Sequence, residues 1–279
     1  SKILGQTFLR TLDRNEKAIR RRCMSLLQRL LTEFTLLGPE TFEFLGCLLE
    51  PARLDPLTLF LLEQISEKDR KTLLPALEDR PLSVDHWSTM ANEILLECES
   101  SVLKEFAQAA VKQLEKQKRA YSYRGKSDFE KRATQIQQMF SLNEEEREFL
   151  ITLFILTTWR PAQSFFVDYL QCQQFSNRRF LLVMMGVNQR GLNSILNGTL
   201  LRLKMFHLDK SWLNLSDEVL ALFENPTAEI TASEFFERLP DPTLSLEDHL
   251  VSPEKANHLL SLFSKRPTNS RLRRTSRCF

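Results

Sequence analysis

Between Ser176 and Trp212 the chain carries the basic residues Arg178, Arg179, Arg190, Arg202, Lys204 and Lys210, opposed only by Asp209. Within that stretch Gln189, Arg190, Asn193 and Ser194 recur at one- and four-residue steps, the spacing that puts them on one side of a short helix. Their side chains are of the types that hydrogen-bond base edges or phosphates, and Lys204 and Lys210 are placed to meet a backbone phosphate. The chemistry these residues can do is recognition, of a nucleic acid or of an acidic protein surface.

Covalent chemistry has no comparable set. A phosphate-binding loop needs G-x-x-x-x-G-K-[ST], and the one Gly-Lys pair, Gly125-Lys126, has Ala120 where the first glycine belongs. His86, His207, His249 and His258 are scattered, with no HExxH spacing for a metal. Asp248 adjoins His249, but neighbouring residues do not face each other on an element, and no G-x-S-x-G elbow supplies a nucleophile. Cys23, Cys47, Cys98 and Cys172 fall in or beside apolar helical faces, the ordinary place of a small hydrophobe. No catalytic, metal or cofactor residue is assigned to this chain.

The elements that must position the basic stretch read as helices. Leu and Phe are abundant, only 7 glycines occur among 279 residues, and apolar positions recur at three and four. The fold class expected is mainly α: a helical amino-terminal domain over 1–118, a linker over 119–127, and a helical domain over 128–238. An extended linker with a final helix follows over 239–265, and a basic tail over 266–279. Asp13 with Glu16, Ser127 with Glu130, and Ser141 with Glu144 match the capping-box spacing. Gly38-Pro39 marks the end of the first helix, and Asp55-Pro56 the start of another. One long helical region is expected from Val84 to Lys118. In the basic stretch a helix reaches Gly186, a turn follows, and a second helix from Gln189 turns Leu192, Ile195 and Leu196 inward, which is helix-turn-helix spacing. "LLRLKMFHL" and "SWLNLS" then read as two strands about the turn "DKS", completing a winged-helix-like module.

A net charge of +2 excludes a uniformly polyanion-binding surface. Five cysteines, odd in number and without a C-x-x-C pair, exclude a disulfide framework and fit a reducing compartment. The apolar run "FLITLFILTTW" is shorter than the roughly 20 residues of a membrane span. A cytoplasmic location without membrane association is expected. The segment from Leu213 to Lys255 is strongly acidic and offers the basic stretch an alternative docking partner.

"FSLNEEEREFLITLFIL", "FFVDYLQC", "LLVMMGVNQRGLNSIL", "WLNLSDEVLALFENP" and "LSLEDHLVSPEKANHLLSLFSK" occur in that order. From Ser127 to Lys265 the chain resembles the region before the motor domain in a group of bacterial AAA+ ATPases. The resemblance implies a helical, winged-helix-like segment that binds a protein substrate or adaptor and leads through a linker into the motor domain in cis. That motor would bind ATP and Mg. The chain departs from the pattern after Pro267-Thr268-Asn269, where N-[IV]-L-[LV]-Y-G and P-G-T-G-K-[ST] are expected and "SRLRRTSRCF" stands instead. One allowed codon spelling of Ser270 to Thr275 encodes Leu-Val-Tyr-Gly-Ala when read from its second base, so the expectation is a truncated or frame-shifted parent. ATP hydrolysis is then expected only of a full-length protein. The alternative is a free-standing winged-helix DNA-binding regulator that uses the helix from Gln189.

Overall fold

The computed structural model describes residues 12–71, 73, 83–169, 177–209 and 212–224. Helix α1 (Arg14–Phe34) opens where the Asp13 carboxylate accepts the Glu16 N–H at 2.7 Å. It buries one stripe from Ala18 through Met24, Leu27 and Leu31. Thr35, at φ 45°, closes it by donating its N–H to the Leu31 carbonyl. Gly38 and Pro39 therefore do not end α1; they begin α2 (Pro39–Leu48), with proline at its first position.

Pro51 opens α3 (Pro51–Glu63), and Pro56 lies inside that helix instead of starting it. Burial of Leu54, Leu57, Leu61 and Leu62 outweighs the hydrogen bond that Pro56 cannot donate. The region expected as one helix from Val84 is two, α4 (Val84–Leu96) and α5 (Ser100–Ala120), parted at 97–99. Ser127 and Glu130 form the expected capping box at the start of α6 (Asp128–Phe140). The next box is not Ser141 with Glu144: Ser141 sits at φ 52° as the C-cap of α6, and Asn143 with Glu146 caps α7 (Glu144–Thr158). Trp159 is extended, after which Arg160–Ala162 makes the turn α8 and runs into a π-helix, Gln163–Tyr169. The chain is mainly α, as its composition implies.

The core is aromatic at its centre. Trp87 of α4 is fully buried, donates its indole N–H to the Thr58 hydroxyl at 3.0 Å, and meets Phe42 edge-on at 6.3 Å. Phe42 meets Phe106 of α5 in the same way, and Phe44 of α2 stacks on Phe165 of the π-helix at 4.6 Å. Those last two residues come from either side of the segment 119–127. Residues on both sides belong to one compact unit that runs to Pro226. Within the segment, Tyr121 and Ser127 are buried. The change of composition at 119–127 marks a turn in that unit, where the sequence implies a linker between domains. The expected linker and helix at 239–265 and the basic tail at 266–279 lie outside the described residues.

Trp87 and Thr58 give a direct test of the core. Thr58→Val strands a buried indole N–H and is expected to cost about 1–3 kcal/mol in urea unfolding. Trp87→Phe with Thr58→Val should cost less than the sum of the two single changes, because the second removes a group the first has already orphaned.

Candidate recognition site

The basic stretch folds as α9 (Asn177–Met185), α10 (Gln189–Leu196), the short α11 (Thr199–Arg202) and an antiparallel pair, β1 (Phe206–Asp209) and β2 (Trp212–Leu215). Phe206 pairs with Leu215 and Asp209 with Trp212. Helix α12 (Asp217–Glu224) follows. Gly186, at φ 64°, makes the turn between α9 and α10, a backbone state that favours glycine. The Asn188 side chain caps α10 by accepting the Gly191 N–H at 2.9 Å. Leu192 and Ile195 are fully buried, so Gln189, Arg190, Asn193 and Ser194 are left facing out.

One part of the stretch is helical where a strand is expected, because Glu146 of α7 reaches it. Its carboxylate is buried and accepts the N–H groups of Thr199 at 2.5 Å and Leu200 at 3.2 Å. The same carboxylate accepts the Asn143 N–H at 3.0 Å. One side chain thus caps α7 and stabilises α11, so the first strand begins only at Phe206. Gly198 is required beside it: a Cβ there would collide with Glu146 Oε1 and with the Ser194 carbonyl.

Of the sequence-assigned residues, Gln189, Arg190 and Asn193 share α10, with Gln189 Nε2 donating to Asn193 Oδ1 at 3.2 Å. Arg202 is exposed on α11 and donates to the Thr199 hydroxyl, and Lys204 is exposed at φ 51° just before β1. Arg179 is turned to a different use: it pairs with Glu33 at 3.0 Å and lies 5.3 Å over the Phe34 ring, fastening α9 to the end of α1. The Arg178 side chain and all of Lys210 lie outside the described residues. The flank of α10 is not purely basic. Asn143 donates to the Ser194 hydroxyl at 3.2 Å, which brings the first turn of α7, with Glu144 and Glu145 exposed, alongside.

No family model, curated protein or solved structure matches this chain. Among the described residues no group of three His, Cys, Asp or Glu is placed to hold a metal, and no helix is long and apolar enough to cross a membrane. Burial pushes the Cys23 and Cys47 thiols up, away from the thiolate a nucleophile needs. The His86 ring hydrogen-bonds Ser83, the cap of α4. His207's side chain, and the residues Cys172, Cys278, Asp248, His249 and His258, lie outside the described residues.

An ion-pair cluster joins α1, α6 and α7. Arg22 of α1 bonds Glu130 of α6 at 3.0 Å and Glu148 of α7 at 2.5 Å. Burial alone would raise the Glu130 carboxyl, but the Ser127 N–H and hydroxyl and Arg22 outweigh it and hold the pKa below its ordinary value. Burial likewise opposes, and Arg22 and Arg147 overcome, to hold Glu148 low. These contacts join residues 108 and 126 apart, so no local pattern announces them. The Glu146 cap is legible locally, since "SLNEEE" holds two overlapping cap registers, Ser141 with Glu144 and Asn143 with Glu146.

Two outcomes are expected. Glu146→Ala should cost about 3 kcal/mol, from three backbone donors that lose a charged acceptor, and hydrogen exchange should quicken at Thr199 and Leu200 before the core responds. Glu130 and Glu148 titrate below the unfolded carboxylate value of about 4.3. The stability they contribute is complete above that value and is lost as pH falls through it toward their folded values. Arg22→Met should therefore cost about 2 kcal/mol at pH 7. It should also flatten the loss of stability measured between about pH 5 and pH 3.

Proposed function

We propose that the chain is a non-catalytic recognition and coupling region of an AAA+ ATPase, which binds a protein substrate or adaptor and hands it to a motor domain in cis. The order of motifs from Ser127 to Lys265 supports the parentage. The observation that carries recognition is the outward face of α10, where Gln189, Arg190 and Asn193 stand exposed over the buried Leu192 and Ile195. Mixed charge at its edge favours a protein over a duplex: Glu144 and Glu145 flank α10 and would repel a phosphate backbone, and Arg179 is already engaged by Glu33. In this reading the helix-turn-helix and hairpin form a winged-helix-like interaction module. ATP and Mg belong to the parent's motor, and the region 239–253 couples module to motor.

The nucleotide sequence following the Asn269 codon tests the parentage. A P-loop is expected in one of the frames downstream, and its absence from all of them removes the reading.

A second reading, a winged-helix DNA-binding regulator, is favoured by one observation, the base-reading residue types exposed on α10. It requires duplex affinity that falls about 10³-fold or more between 50 and 200 mM salt. It also requires Arg190→Ala to weaken binding about tenfold, the cost of roughly 1.4 kcal/mol at one contact. The expected result under the first reading is fluorescence anisotropy that shows neither effect.

A further inference from the structure

A pocket of about 470 Å³ opens between α1, α6 and α7, and takes Lys118 from α5 and Met185 from α9 into its lining. Helix α1 supplies the stripe Ala18, Arg21, Arg22, Ser25, Leu26 and Arg29, the positions of one helical face. The volume falls in the range of small-molecule sites.

Its charges are unevenly satisfied. Four cations line it, Arg21, Arg22, Arg29 and Lys118, against two carboxylates, Glu130 and Glu148. Both carboxylates are taken by Arg22, with Tyr123 also donating to Glu130 and Arg147 pairing with Glu148. Lys118 is paired with Glu115 at 2.7 Å. That leaves Arg21 and Arg29, neither of them ion-paired among the described residues. The Arg21 guanidinium lies 5.4 Å over the Tyr123 ring, and Arg29 gives one N–H to the Met184 carbonyl. Desolvation lowers the Arg29 pKa, with Glu148 only partly opposing it, whereas the two carboxylates raise that of Arg22 in the same pocket. The lining thus carries two more cations than carboxylates, and the pairs that are formed leave Arg21 and Arg29 out.

We propose that this pocket binds a short oligophosphate, one terminal phosphate held by Arg21 and the other by Arg29. Guanidinium forks match phosphate oxygens two at a time, which is the recognition these two residues have unspent. They stand eight residues apart, about 12 Å along the helix axis. A single phosphate has one group to offer, whereas a short chain of phosphates offers a terminal group to each arginine. A nucleotide is a poorer fit because the one aromatic ring in the lining, Tyr123, already has Arg21 on its face. The proposal does not depend on the AAA+ parentage.

Titration calorimetry of the whole chain with tripolyphosphate, in about 50 mM salt to limit screening, tests it. One-to-one binding is expected. Arg21→Gln and Arg29→Gln should each weaken it by about tenfold, the scale of one charge-assisted contact. Arg160→Gln, exposed and outside the pocket, should leave it unchanged. Absence of binding, equal weakening by Arg160→Gln, or tighter binding of ATP than of tripolyphosphate would each overturn the assignment. The unsubstituted protein provides a check that does not rely on variants folding. Saturating tripolyphosphate should slow phenylglyoxal modification of Arg21 and Arg29 several-fold, read by peptide mass spectrometry, and leave Arg160 at its free rate. Equal protection of all three arginines would also overturn it.

Discussion

The guanidinium of Arg22 is the point at which α1 commits to α6 and α7. Its fork reaches one carboxylate on α6 and another on α7, and its own side chain is only 26% exposed. Charges so placed have lost much of their water and depend on one another, so either partner left alone costs more than an exposed pair would. Glu130 serves twice, since it also completes the capping box with Ser127 and so settles where α6 begins. Apolar burial supplies most of the favourable energy, but it is non-directional. The ion-pair cluster supplies direction, holding α1, α6 and α7 in a single relative register while the aromatic contacts of Phe44 with Phe165 close the other side.

A second carboxylate does the same for the basic stretch. Glu146 satisfies backbone donors at the start of α7 and at the start of α11 together, which ties the segment after α10 to the central apolar helix. Phe149 of α7 meets Phe206 of β1 edge-on at 5.5 Å, and Phe154 stacks on Phe223 of α12 at 4.4 Å. The hairpin and α12 thus rest on two successive turns of α7. With Leu192 and Ile195 buried on its inner side, α10 presents its outer polar residues to solvent.

Local physics made much of this legible. The cap at Asp13, the Ser127 box, the glycine turn at Gly186 and the inward Leu192 and Ile195 each follow from chemistry within four or five residues. Errors arose where two local signals competed. Ser141 and Asn143 both precede acids at the right spacing, and the left-handed turn that ends α6 decides for Asn143. Pro56 signals a helix start in isolation and is overruled by the leucines around it. The uses of Arg22 and Arg179 were hidden for a different reason. Glu33 is 146 residues from Arg179, and nothing near either residue specifies the other.

The fastening of α9 to α1 has a consequence for the order in which the protein can be made. Arg29 meets the carbonyl of Met184, a separation of 155 residues, so α1 leaves the ribosome long before its last partners exist. At ordinary rates of synthesis the wait is on the order of 10–30 seconds. During it, the lower stripe of α1 has α2 and α5 to pack against, while the face that carries Arg22 and Arg29 has no acids and no carbonyl to meet. That face is charged, and a charged face tolerates water during the wait where an apolar one would invite association. The arrangement of greasy residues on the side completed early and arginines on the side completed late suits a helix whose closing contacts are made more than a hundred residues later.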